Sequence, residues 1–220
     1  MKHFLFLPIL LINIVTVQAQ KLAYERADYY SKALSGYQLA GSNGSYTIQG
    51  VKYSFAFPEA SFRITFYNQM AALATYYSTG NKEMLVLVDS IDMAKVKGIT
   101  YHKVGDEVVD VRLHLKGSAP AFFREILDGK EISRTKVDVV HSYVKKGPAL
   151  SEFVTTLYKL CFEMQVAQGL ITQAEADAQN RDRNITPETF ITRYPNSIFN
   201  MEAKQLIEAR ARAAGNNRNN

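Results

Sequence analysis

Cysteine is nearly missing from this chain: Cys161 is the one thiol among 220 residues, so no disulfide can close within it. The fold has to rest on its packed core. Equally missing are the G-x-S-x-G elbow, the G-x-G-x-x-G fingerprint and any C-x-x-C pair, which removes common hydrolase, dinucleotide-binding and thioredoxin chemistries. Blocks of one charge are lacking too. The basic residues, among them Lys52, Arg63, Lys95, Arg134 and Lys146, are scattered, which argues for a solvated surface and against a nucleic-acid footprint.

An uncharged run long enough to cross a bilayer is also absent, since Phe4 to Val17 falls short of the roughly 20 residues required. That run follows Met1-Lys2-His3 and ends in Val17-Gln18-Ala19, so residues 1–19 read as a signal peptide cleaved after Ala19. No cysteine follows it, so there is no lipobox. The expected product is exported, periplasmic or secreted, with no stable membrane span. Loss of Lys2 leaves 25 of the 26 basic residues against 21 acidic ones, a mild net charge of +4. With 47% hydrophobic residues, the remainder can bury a core of its own.

Periodicity then divides the chain. Ala23, Ala27, Tyr30, Leu34 and Tyr37 recur at helical steps and predict a helix over Lys21 to Leu39, on which Tyr24, Tyr29, Tyr30 and Tyr37 read as ordinary half-buried rings. Gly41 to Ser45 reads as a flexible link, too poor in glycine for a phosphate loop; its Asn43-Gly44-Ser45 is a formal sequon that matters only on a eukaryotic secretory route. Tyr46 to Phe57 and Phe62 to Tyr67 alternate like strands and predict a hairpin about Pro58-Glu59-Ala60. Ala71 to Thr79 leans towards a strand, and Glu83 to Asp89 is apolar on both faces. Ser90 to Lys97 breaks the pattern around an inward anchor, Ile91 or Val96, before a second hairpin of Gly98 to Lys103 and Glu107 to Leu115 about Gly105-Asp106. In its second strand Val109, Val111, Leu113 and Leu115 point inward, while Asp110, Arg112, His114 and Lys116 read as a solvent face.

Ser118 to Gly129 predicts a short helix with Phe122, Phe123, Ile126 and Leu127 inward, and Arg134 to Val144 a last strand. After Gly147-Pro148 comes a long helix, Ala149 to Gln168, whose apolar stripe includes Cys161 as a small hydrophobe. The expected fold is α+β: an antiparallel meander or partly open barrel of six or seven strands, an N-terminal helix, and a long C-terminal helix packed on the sheet. Beyond Gly169 the composition turns polar and helical. Thr172-x-x-Glu175 is a capping box, Thr186-Pro187-Glu188 starts another helix, and "RYPNS" (193–197) precedes a final one to about Ala214. The expected organisation is a signal peptide (1–19), an α+β domain (20–169), a helical appendage (170–214) and a disordered tail (215–220).

The meander closed by its helix, with "MLVLVDSIDMAKVKGITY" (84–101) as strand, apolar loop anchor and strand, resembles a pleckstrin-homology-like domain. The resemblance covers about half the chain and rests on element order. The chain departs from that family in its 118–129 insertion, in having no tryptophan on the closing helix, and in lacking the basic cluster of the first hairpin loop, where "PEAS" leaves only Arg63 nearby. No phosphoinositide activity is therefore implied. "ETFITRYPNSIFNMEAKQLIEARA" (188–211) is similar to the close of a tetratricopeptide-like repeat, but it occurs once, whereas such arrays need about three. "VQAQ" and the Asn-rich end are similar to exported proteins of Gram-negative Bacteroidetes.

The chemistry-bearing residues are few. His102, His114 and His141 lie on predicted strands without metal-ligand spacing, and the carboxylate pairs Asp89/Asp92 and Asp106-Glu107 are explained by turns. No residue is assigned to catalysis, metal or cofactor, and the sequence singles out none for binding. The expected function is a non-catalytic interaction or scaffold module of a bacterial envelope, docking another envelope protein through its C-terminal helices. The alternative is a carrier of a small apolar ligand or lipid held between sheet and helix, lined by aromatic strands such as Tyr53 to Phe57. A third reading is an enzyme with an unfamiliar site.

Overall fold

The computed structural model describes the backbone of residues 6–35, 38–40, 43–48, 51–56, 59–61, 63–67, 70–79, 82–104 and 106–216, and side chains over 17–34, 70–74, 85–104 and 106–215. The expected disordered tail falls largely outside the described residues.

A first helix, α1 (Phe6–Ser35), runs without interruption from the apolar leader into the predicted helix. It stops earlier than Leu39, at a serine followed by Gly36, because glycine gives a helix little reason to continue. The chain then forms β1 (Gln38–Ala40), β2 (Asn43–Ile48), β3 (Val51–Ala56), β4 (Glu59–Ser61) and β5 (Arg63–Tyr67). Three expectations change here. The supposed link contributes Asn43 to Ser45 to a strand. The single strand expected from residue 46 onwards is a β2–β3 pair, in which Ile48 opposes Val51. Finally, Glu59 to Ser61 pairs with β1, and among the described residues the two apolar runs flanking "PEA" pair with β2 and β6 and not with each other.

Next come β6 (Met70–Thr79), β7 (Lys82–Ile91), a single 3-10 turn (Met93–Lys95), β8 (Val96–Val104) and β9 (Val108–Leu115). The predicted anchor is a small cluster, with Ile91, Met93, Ala94 and Val96 all buried. Then follow β10 (Ala121–Leu127), β11 (Lys130–Val137) and β12 (Val139–Lys145). The expected helix over Ser118 to Gly129 is therefore a strand and its turn. Asp128 and Gly129 both take positive φ, 47° and 78°, the backbone of a tight hairpin turn that Asp-Gly favours, and Leu127 pairs with Lys130 across it. Pairing with β7 on one side and β11 on the other overrides the helix-like spacing of Phe122, Phe123, Ile126 and Leu127. The expected last strand, Arg134 to Val144, is divided at Asp138 between two sheets, and the Asp138 carbonyl accepts the Leu115 N–H at 2.7 Å where the chain crosses over.

Among the described residues the main sheets are a five-stranded one, ordered β11-β10-β7-β6-β5, and a three-stranded one, ordered β12-β9-β8; all pairs are antiparallel and the sheets do not close into a barrel. The class is α+β, as the sequence predicts. Against the sheets lies α2 (Pro148–Ala167), framed by glycines in positive φ, Gly147 at 124° and Gly169 at 68°. At its end Gly169 N–H bonds Val166 O at 2.9 Å and Leu170 N–H bonds Gln165 O at 2.8 Å, the paired bonds of a Schellman cap.

This helix is more enclosed than an amphipathic stripe predicts. Residues 160 to 164 are buried in succession, Cys161 with them, because α2 is covered on more than one side. Ala23, Ala27, Ser31 and Leu34 of α1 form a small-residue face that lets the two helices approach closely. Arg26 of α1 places its Nε 2.9 Å from Glu163 Oε2. The remaining side is covered by the appendage: α3 (Gln173–Arg181), a 3-10 turn (Asp182–Asn184), α4 (Pro187–Arg193) and α5 (Asn200–Asn216). The predicted capping box is present, with Thr172 accepting from the Glu175 N–H and Glu175 accepting from the Thr172 N–H. Phe199, just before α5, sets its ring 4.1 Å from Tyr158 and 5.1 Å from Phe162, and Phe190 and Ile198 join the same continuous core.

Helix α5 also lies along β8, the edge strand of its sheet. The Gln205 side chain accepts the Tyr101 N–H at 3.0 Å and donates to the Tyr101 carbonyl, so one amide satisfies both backbone groups of an otherwise open edge. At Gly98 the approach is close enough that a Cβ would fall 2.6 Å from the Met201 side chain.

Candidate functional site

Two polar regions emerge from this fold. The first is the outer face of the three-stranded sheet. Alternation along β8, β9 and β12 brings His102, His114 and His141 to one side with Thr100, Asp110, Arg112 and Tyr143, because His102 opposes Asp110, Thr100 opposes Arg112, and His141 lies on the other side of Arg112. Asp110, expected in solvent, is 2% exposed. Burial leaves it with two partners: Arg112 Nε lies 2.6 Å and His141 Nδ1 3.0 Å from Oδ2. The hydroxyl of Thr100 meets His114 Nε2 at 2.8 Å and His102 Nε2 at 3.4 Å. Partial burial, then the charges of Arg112, His102 and Lys97, hold the His114 imidazole below its ordinary pKa of 6.5. The three imidazoles thus share a face. Yet among the described residues no group of three or more His, Cys, Asp or Glu is placed to hold a metal ion.

The expected carboxylate pairs do not converge. Asp89 is tied to Arg124 at 2.9 Å. Asp92 caps the 3-10 turn by accepting Ala94 N–H at 3.1 Å and meets Lys95 and Gln168, both at 3.2 Å. Asp106 faces Lys103 at 3.1 Å from a turn. Turn and sheet chemistry accounts for each. Two Ser-x-x-Lys tetrads, Ser133 to Lys136 and Ser142 to Lys145, sit on β11 and β12, where residues three apart point to opposite faces, so neither serine meets its lysine. Burial drives the Cys161 thiol well above its ordinary pKa, which suits packing and opposes nucleophilic use. Tyr24 and Tyr30 pack at the core margin, Tyr29 is exposed, and Tyr37 lies outside the described residues.

The second region is concave. Between the first turns of α2 and the helices of the appendage opens a cleft of about 520 Å³, in the size range of small-ligand and peptide sites. Ile185 and Leu206, over the buried rings of Phe190 and Phe199, give it an apolar side, while Ser151, Thr155, Asn180, Asn184, Arg183, Glu202 and Arg210 supply polar and charged groups. Leu206 is 46% exposed there, a large apolar side chain left towards solvent.

Arg183 is the best-positioned group in this cleft. Its guanidinium lies 4.6 Å from the Phe199 ring centroid and 4.7 Å from that of Tyr158, over both rings. Glu202 Oε2 pairs with Arg183 Nη2 at 3.9 Å, beyond hydrogen-bond reach, and also accepts the Tyr158 hydroxyl at 2.7 Å. Burial, then neighbouring Tyr101 and Glu202, raise the Tyr158 pKa well above its ordinary value, so this hydroxyl stays a donor. Burial, then Glu202, raise Tyr101 likewise; its hydroxyl makes no well-formed hydrogen bond among the described residues although it stands beside that carboxylate.

None of these cleft residues is singled out by the sequence. They come from four separate segments, and the polar composition after Gly169 was the only hint. Inside the body, by contrast, the space between α2 and the sheets, lined by Ala71, Leu73, Met93, Val111, Phe153 and Leu157, amounts to about 20 Å³. No described helix is long and apolar enough to cross a membrane. No protein-family model, curated protein or solved structure matches the chain.

Proposed function

We propose that this protein is a non-catalytic interaction module exported to a bacterial envelope, and that it receives a segment of another envelope protein in the cleft between α2 and the C-terminal helices. The observation that carries the reading is the cleft itself: about 520 Å³ with an apolar side, an arginine lying over two rings and a rim of amides and hydroxyls. Export is supported by the leader of residues 1–19, and the pleckstrin-homology-like resemblance adds only a scaffold role for the sheets. The carrier alternative has less in its favour, because among the described residues the space between helix and sheet is about 20 Å³, room for about one water.

The test is a photo-crosslinking side chain at position 206 in living cells. One discrete adduct with an envelope protein is expected, and Thr155→Trp, which fills the cleft from α2, should abolish it while leaving the melting temperature unchanged. No adduct, or an adduct indifferent to Thr155→Trp, overturns the reading.

A further inference from the structure

The chemistry of the cleft narrows its occupant. Arg183 lies over the Phe199 and Tyr158 rings, and the cleft lining sets two guanidiniums, Arg183 and Arg210, against one carboxylate, Glu202, 3.9 Å from Arg183, so positive charge is in excess there. A guanidinium in a hollow with excess positive charge suits a carboxylate, which it can bind through two parallel N–H donors. The apolar side of Ile185 and Leu206 belongs to the same concavity, so the occupant carries an apolar group beside its anionic one. The rim of Asn180 and Asn184 offers amide donors and acceptors, which match a peptide backbone and have no use for an acyl chain.

Resting on the proposed function, we infer that the cleft captures the free C-terminal end of a partner polypeptide whose last residue is apolar, with Arg183 on the terminal carboxylate and the last side chain against Leu206. A chain terminus presents charge and side chain on one carbon, whereas an internal Asp or Glu separates its carboxylate from the neighbouring apolar group.

The probe is the tetrapeptide acetyl-Gly-Ala-Leu-Leu with a free carboxylate, compared with its C-terminal carboxamide, titrated into the full-length protein by calorimetry and by amide chemical-shift mapping. The acid should bind in the cleft and the amide about tenfold more weakly, the worth of one charge-assisted pair. Arg183→Gln should remove that discrimination and Arg183→Lys restore part of it. Because Arg183 also packs on two rings, Leu206→Asp at an exposed position gives a second reading, weakening acid and amide together. Equal binding of acid and amide, no binding of either at millimolar concentration, or decanoate binding as tightly as the acid peptide would each overturn the inference. If the position-206 adduct survives while acid and amide are not distinguished, the interaction reading stands and only the terminal-carboxylate assignment falls; loss of the adduct removes both.

Discussion

The outer face of the three-stranded sheet and the cleft beneath the C-terminal helices are both rich in polar side chains, but they differ in how those groups are balanced. On the sheet, Asp110 is matched by Arg112 and His141, and Thr100 by His114, all within one flush surface. In the cleft, Arg183 lies over two rings with Glu202 3.9 Å away, and Arg210 adds a second guanidinium to the lining. The first arrangement closes on itself, and the second leaves more positive than negative charge around a hollow. Histidine count is therefore a poor guide here, and concavity with incomplete pairing a better one.

The comparison can be broken or sharpened by experiment. The largest effect is expected where cleft and core are the same structure. Phe199→Ala removes a ring packed on Tyr158, Phe162 and Phe190 and should cost about 3–5 kcal/mol in denaturant unfolding. If it costs under about 1 kcal/mol, the appendage is only an attachment. Gly98→Ala drives a Cβ into the stem of Met201, and should cost about 1–3 kcal/mol by forcing α5 away from β8.

On the sheet, Asp110→Asn leaves Arg112 and His141 without their shared carboxylate and should cost about 1–3 kcal/mol, without touching any binding in the cleft. The smallest effect is a pH dependence. His114 is held below its ordinary value of 6.5, so the unfolded chain takes up that proton more readily than the folded one. Its contribution is complete above pH 6.5 and is lost as pH falls through the folded value. His114→Asn should flatten this part of the stability profile, measured by melting temperature between pH 7.5 and pH 5 (about neutral to mildly acidic); an unchanged slope would sever the histidine from it.

Legibility in the sequence followed local chemistry. The helix 149–168, the capping box at Thr172 and the β8–β9 hairpin were readable because each announces itself through caps, turns or strict alternation within a few residues. The 118–129 segment misled, since its apolar spacing fits a helix, although Asp128-Gly129 carried the hairpin signal and the partner β7 lies more than 30 residues upstream. Asp110 misled for a related reason: alternation gives the face of a side chain but not how far Arg112 and His141 fold over it. The cleft was out of reach because residues 151, 183, 199 and 206 meet only through tertiary packing.

The most direct measurement pairs two photo-crosslinking positions in living cells, Leu206 in the cleft and Tyr143 on the sheet face, which are similarly accessible at 46% and 37% exposure. A partner adduct from position 206 and none from position 143 is the predicted result. A specific adduct from position 143 with silence at position 206 would contradict the account.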